Sequence, residues 1–169
     1  KKATSVLIAV MDAYVAQYHS SALGNVHEEI FDIYGFQAHL RADYSTIWNN
    51  NVYRHDEPLQ MLDSFQQYLE MLAKRQDSVS QLHEIIQIII SESRLAVLWS
   101  QLLLIGGRFP RTLGREILPL SWSMPILIGY DTTIPVGVFL KAIFPTLNRK
   151  EREHIELSIL KIPETMSKD

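Results

Sequence analysis

The sequence predicts an all-α protein, arranged as an irregular, solenoid-like stack of antiparallel helical hairpins with about eight helices. Three observations support this prediction. Apolar residues recur at steps of three and four along most of the chain, turn signals separate these runs, and alternating extended runs are missing. A compact helical bundle fits the same pattern, and no repeat of fixed length supports a regular array.

The predicted helices follow one another with short links. The 57–74 segment is the clearest, because Pro58 suits a first helical turn and its leucines fall on one face. Asn148 with Glu151 has the spacing of a capping box at the start of the last helix. The predicted ranges are 4–19, 26–48 with an interruption at Gly35, 57–74, 79–91, 94–106, 111–120, a helix from Ile134, and 149–161.

The composition indicates one globular domain. The chain has 169 residues, enough for a buried core, with 47% apolar and 21% charged residues. A net charge of −3 argues against a surface built for nucleic acid or acidic lipid. The absence of cysteine excludes disulfides, zinc–thiolate sites and cysteine catalysis, and it fits a cytoplasmic protein. A sub-boundary is possible near 49–57, a polar loop by composition.

Two apolar segments could be mistaken for membrane or export signals. The first 20 residues are interrupted by Asp12, which favours an amphipathic helix over a signal peptide. Residues 85–105 are long enough to span a bilayer, but Glu92 and Arg94 lie in the middle, so two buried helices are predicted. No membrane association is expected. Because the chain lacks an initiating Met, we expect a fragment of a larger protein.

The segment LIGGRFPRTLGREIL, residues 104–118, has the glycines and arginines of a possible phosphate-binding loop. It lacks the Lys-Ser or Lys-Thr of a P-loop and the Gly-x-Gly-x-x-Gly of a dinucleotide site. We therefore predict a turn, with Gly106 or Gly107 ending a helix in the left-handed conformation. The alternative is an anion site formed by Arg108, Arg111 and Arg115.

No catalytic or metal-binding constellation is visible. His39 and Asp43 would lie one turn apart on a helix, but a metal site needs three or four converging groups. The serines lack a Gly-x-Ser-x-Gly elbow. The sequence therefore predicts no catalytic residues, no metal ligands and no cofactor, and an enzyme is the less favoured interpretation.

Aromatic residues crowd the first third of the chain. They are either part of an ordinary hydrophobic core or part of a binding surface. The second alternative follows from the enrichment of Tyr and Trp at protein interfaces. The candidates for interaction are Tyr44, Trp48 and Tyr53.

Residues 91–164 resemble the helical-repeat regions of large bacterial antiviral signalling NTPases of the STAND type. The resemblance rests on Leu98-Trp99, on Asp131-Thr132-Thr133 before Val136-Gly137, and on Glu151-Arg152 followed by Ile155-Glu156 and Ile159-Leu160. In that family the helical region senses a foreign protein, while the nucleotide chemistry lies elsewhere. The resemblance implies a sensor or scaffold segment without catalytic residues of its own.

The sequence thus favours a non-catalytic module that binds another protein, either a neighbouring domain of the parent chain or a foreign protein. It gives no oligomeric state. The rival interpretation is a small-molecule-binding or catalytic helical domain. Its expected sign is a closed cavity lined by at least two of His39, Asp43, Tyr44, Arg108 and Arg111.

Overall fold

The structure is a computed structural model that describes residues 1–19, 28–48 and 56–166. It is mostly helical, as predicted, with one two-stranded sheet. Tyr53 and residues 49–55 of the predicted sub-boundary lie outside the described residues. The helices are α1 (Lys2–Tyr18), α2 (Ser45–Trp48), α3 (Glu57–Ala73), α4 (Val79–Glu92), α5 (Ala96–Arg108), α6 (Leu113–Glu116), α7 (Met124–Ile128), α8 (Thr133–Ile143), α9 (Arg149–Leu160) and α10 (Ile162–Met166). The strands are β1 (Glu28–Ile33) and β2 (Phe36–Arg41), and 3-10 turns cover Gln76–Ser78, Leu118–Trp122 and Phe144–Thr146.

Helix α5 forms the centre of the core. Its residues from 96 to 103 are all buried, and Trp99 has no exposed surface. A helix that is apolar on every side needs neighbours on every side, which α3, α6 and α8 supply together with the sheet. Burying an aliphatic side chain contributes roughly 1.5–3 kcal/mol, so each buried leucine of this helix is a substantial contribution to stability.

The predicted helix over 26–48 is wrong for residues 28–41, which form an antiparallel β-hairpin. Phe31 and Ile33 on β1 and Ala38 and Leu40 on β2 are buried, so alternate residues face the core. The Tyr34–Gly35 turn has φ of 56° and 77°, the values of a two-residue type I′ turn. Glycine adopts that conformation without strain, whereas Tyr34 does so at some cost.

Contacts from distant helices hold the hairpin in place. The Tyr34 hydroxyl donates a 2.6 Å hydrogen bond to the carbonyl oxygen of Glu116, which fixes the turn on the end of α6. On the outer edge of β2, the indole N–H of Trp99 donates to the carbonyl oxygen of His39, and the Arg41 amide donates to the carbonyl oxygen of Arg94. These bonds compensate for the strained turn and attach one edge of the sheet to the rest of the protein.

The prediction that Gly106 or Gly107 ends a helix is also wrong, because α5 continues through both to Arg108. Their role is close packing. A Cβ on Gly106 would lie 2.6 Å from Cδ1 of Ile117, and one on Gly107 would lie 3.5 Å from Cα of Phe139. A Cβ at Gly106 would force the side chain of Ile117 to move, whereas one at Gly107 would make ordinary van der Waals contact with α8.

Helices α5 and α8 run in the same direction. Ser100, in the first half of α5, donates to the carbonyl oxygen of Asp131 just before α8, while Gly107 near the end of α5 approaches Ala142 near the end of α8. The segment 109–132 returns the chain between them. In the part of the chain that the structure describes, no helix combines the length and apolar character needed to cross a bilayer.

Candidate binding surface around Asp131

A buried carboxylate, Asp131, holds the turn that follows the hairpin. Its Oδ2 accepts hydrogen bonds from the amides of Asp43 and Tyr44 at 3.0 and 2.9 Å. Its Oδ1 accepts from the amide and the hydroxyl of Thr46 at 3.1 and 3.0 Å. Asp131 is 1% exposed, whereas Tyr44 and Thr46 are half-buried. These hydrogen bonds also support Tyr44, whose φ of 56° is costly for a residue with a Cβ.

A second buried carboxylate, Asp43, completes this network. It accepts from the amide of Ser45 at 3.0 Å and from the amide of Val97, in the first turn of α5, at 2.8 Å. Burial raises the pKa of Asp43 to about 6, with a further contribution from the charge of Asp131, and the hydrogen bonds to the carboxylate oppose the rise. The two aspartates therefore connect the hairpin, α5 and the start of α8.

Two surface grooves lie on either side of Asp131. The larger, here called the hairpin groove, has a volume of about 560 Å³ and lies between the hairpin, α7 and α10. The smaller, the α8 groove, has a volume of about 230 Å³ and lies between α2, α5 and α8. Asp131 lines both. The other residues of the hairpin groove are Glu29, Leu40, Ala42, Ala96, Met124, Pro125, Ile128, Gly129, Tyr130, Thr132 and Thr165.

Apolar side chains project beside these grooves. Tyr130, Ile134 and Val138 are 60%, 72% and 48% exposed, and they follow one another at steps of four. The ring of Tyr130 packs on that of Tyr44, with 5.3 Å between centroids. We call Tyr130, Ile134 and Val138 the apolar ridge. A line of exposed aliphatic and aromatic side chains beside grooves is typical of a binding surface.

The three arginines proposed as an anion site have different partners. Arg108 forms an ion pair with Glu70 of α3 at 2.7 Å, and Arg115 forms one with Glu151 of α9 at 2.9 Å. Arg115 also donates to the carbonyl oxygen of Thr146. Arg111 lies exposed in the turn between α5 and α6. Because two of the three guanidinium groups already contact carboxylates, the structure favours a structural role for them.

The predicted aromatic residues also differ in environment. Trp48 is buried, its indole N–H donates to the carbonyl oxygen of Asp43 at 2.6 Å, and its ring stacks on His19. Tyr44 is half-buried and supports the apolar ridge through Tyr130. Tyr53 lies outside the described residues. Tyr44 is thus the predicted residue that reaches the surface around Asp131.

The proposed neighbours His39 and Asp43 do not form a pair on a helix. His39 lies on β2 and contacts the carboxylate of Glu28, whereas Asp43 lies beyond the strand and binds backbone amides. Among the described residues, no group of three or more His, Asp or Glu is placed to hold a metal ion.

Sequence reasoning did not single out Asp131 or the apolar ridge as a site. Asp131 entered only as part of the family resemblance, and Ile134 only as the start of a helix. An Asp between two apolar segments, three residues before an exposed Ile, is a weak signal on its own. Comparisons of the chain with protein-family models, with curated proteins and with solved structures found no match.

Proposed function

We propose that this chain is a non-catalytic, α-helical module that binds another protein, as a sensor or scaffold segment of a larger cytoplasmic protein in bacterial signalling or defence. The observation that carries the proposal is the apolar ridge. Ile134 and Val138 expose aliphatic surface on one face of α8, in line with the exposed Tyr130 and beside the α8 groove.

The packing of the helices supports the same proposal. The parallel pair of α5 and α8, separated by a returning segment, supports a solenoid-like stack, in which corresponding helices of successive hairpins run in the same direction. Such stacks present extended surfaces to protein partners. The resemblance of residues 91–164 to helical sensor regions agrees with this role.

A second candidate is the binding of a small molecule in the hairpin groove. Its volume of about 560 Å³ lies within the range of ligand pockets, and apolar side chains such as Leu40 and Met124 line it. Of the five residues expected around a closed cavity in this interpretation, none lines either groove. The protein-binding proposal is therefore the better supported of the two.

The test is site-directed photo-crosslinking in cells that naturally express the protein. A photoreactive residue at position 134 should yield one discrete crosslinked protein. The same residue at position 6 on α1 is the control, because Val6 is also an exposed aliphatic residue, at 53%. The crosslinked protein, once identified and purified, should bind the chain saturably.

The binding should depend on the apolar ridge. Loss of a central interface side chain costs about 2 kcal/mol or more, so Ile134→Asp should weaken the affinity at least about thirtyfold. The proposal fails if no crosslinked protein binds saturably, or if Ile134→Asp leaves the affinity within about twofold. A crosslink between two copies of the chain, together with a mass of the uncrosslinked protein that rises with concentration, would instead assign the ridge to self-association.

A further inference from the structure

Among the described residues, other elements bond to one edge of the two-stranded sheet and not to the other. The residues next to a two-residue turn, Ile33 and Phe36, form a hydrogen-bonded pair, so the pairs alternate from there along the hairpin. The N–H and C=O groups of Glu28, Ile30 and Asp32 consequently point away from β2. The bonds that His39 and Arg41 make to Trp99 and Arg94, on the opposite edge, agree with this register.

The outer edge of β1 has no backbone partner among the described residues, 1–19, 28–48 and 56–166. Exposed strand edges are templates for pairing with another chain. Ile30 lies at the centre of this edge and is 57% exposed. The edge also borders the hairpin groove, because Glu29 lines that groove.

The charge of β1 selects the kind of strand that can pair with it. The strand carries Glu28, Glu29 and Asp32 and no basic residue. Glu28 contacts His39 and Arg94 on one side, and Asp32 accepts a hydrogen bond from the amide of Gly35. In a symmetric antiparallel pair with a second copy, Glu28 would face Asp32 of the other copy, and like charges directly opposite are destabilising. A basic strand meets no such repulsion.

We propose that the outer edge of β1 binds an extended, basic segment of a partner protein by β-strand addition. Main-chain hydrogen bonds to Glu28, Ile30 and Asp32 supply affinity. On one face of the added strand, Lys or Arg side chains lie beside Glu28 and Asp32. On the other face, apolar side chains enter the hairpin groove beside Glu29. The inference rests on the proposed protein-binding function and names the chemistry of the partner.

The test uses a synthetic peptide of about eight residues with alternating Lys and Val, the length of an ordinary strand. Amide hydrogen exchange is followed by NMR. Without peptide, the amides of Ile30 and Asp32 should exchange quickly, while those of Phe31 and Ile33, bonded to β2, exchange slowly. With peptide, the amides of Ile30 and Asp32 should slow at least tenfold, and added salt should weaken the effect. A Glu–Val peptide of equal length is the control.

Two variants separate strand addition from other modes of binding. Ile30→Pro removes an outward N–H that the hairpin does not use, so the fold should persist while affinity for the Lys–Val peptide falls at least tenfold. Ile30→Lys retains the N–H and repels the basic peptide, and it serves if the proline variant does not fold. Unchanged exchange at millimolar Lys–Val peptide, an equal effect of the Glu–Val peptide, or wild-type affinity in Ile30→Lys would overturn the inference.

The natural partner distinguishes this inference from the proposed function. If the protein crosslinked at position 134 loses affinity with Ile134→Asp but not with folded Ile30→Pro, then the module binds proteins and the strand-addition inference is wrong. If neither variant affects any saturable partner, both proposals fail. Loss of affinity in both variants supports both.

Discussion

Replacing Asp131 by Ala should destabilise the protein more than any surface substitution, because one side chain holds a whole turn. The substitution removes the acceptor for the amides of Asp43, Tyr44 and Thr46 and for the Thr46 hydroxyl. A buried backbone donor left without an acceptor costs about 1–3 kcal/mol. The Thr46 hydroxyl can rotate to another partner, so three amides determine the loss, of which that of Asp43 is buried and those of Tyr44 and Thr46 are partly buried.

The expected net loss in the free energy of unfolding is about 3–5 kcal/mol. The lower part of the range allows for water entering the α8 groove and for relief of the repulsion between Asp131 and Asp43. Asp131→Asn should cost nearly as much, because its NH₂ group would face at least one amide donor where the carboxylate accepts. Thr46→Val, which removes the hydroxyl bond to Asp131 and keeps the amide bond, should cost about 0.5–1.5 kcal/mol.

The assay is urea denaturation at 25 °C, followed by circular dichroism. Glu153→Ala is the control, because Glu153 pairs with Arg149 at the surface and its loss should change stability by less than about 0.5 kcal/mol. A loss below about 1 kcal/mol for Asp131→Ala would refute the view that this carboxylate holds the turn.

The remaining predictions concern Asp43 and two glycines. The pKa of Asp43 is raised to about 6 from 3.8, so the folded state holds this proton more tightly than the unfolded chain does, and the contribution of Asp43 to stability falls as the pH rises from about 4 to about 6. The difference in unfolding free energy between wild type and Asp43→Asn should therefore change over that interval and level off above it; a constant difference would contradict the assignment. Gly137→Ala should raise stability by about 0.5–1 kcal/mol, because a Cβ there meets nothing within 4 Å on an exposed helix face. Gly114→Ala should lower stability by about 1–3 kcal/mol, since a Cβ would lie 2.9 Å from the carbonyl oxygen of Gly106. Equal midpoints in the thermal melts of the Gly137→Ala and Gly114→Ala variants would contradict both predictions.

The helices that the sequence predicted well have strong local signals. The Asn148–Glu151 capping box is confirmed, with both reciprocal hydrogen bonds formed at the start of α9. The 57–74 helix is confirmed as Glu57–Ala73, with Pro58 in its first turn. In both cases the residues that determine the helix end lie within one turn of it, so no knowledge of the tertiary structure is needed.

The hairpin was missed because its residues fit two periods. Phe36, Leu40, Tyr44 and Trp48 are spaced as on a helix, while Ala38 and Leu40 also alternate as on a strand. Distant contacts decide between the two, namely the bond from Tyr34 to Glu116 and the bond from Trp99 to His39. The local signal for a hairpin was the alternation of apolar and polar residues on both sides of the Tyr34-Gly35 pair.

The surface around Asp131 could not be predicted for a related reason. The amides that Asp131 binds lie 85 to 88 positions earlier in the chain, and no local sequence pattern predicts contacts over such a separation. Exposure of the apolar ridge depends equally on which face of α8 the central helix covers. Sequence periodicity identifies an apolar face, but not whether a neighbour is present to bury it.

The part of the chain before position 49 and the part after position 55 contact each other at both ends of the hairpin. Tyr34 reaches Glu116 at the turn, and Asp131 reaches back to Asp43 and Tyr44 beyond β2. These interactions join side chains to backbone across space and do not require the peptide bonds in between. A chain cleaved once between 49 and 55 should therefore give two complementary fragments that reassemble on mixing, the property on which split-protein reporters are built.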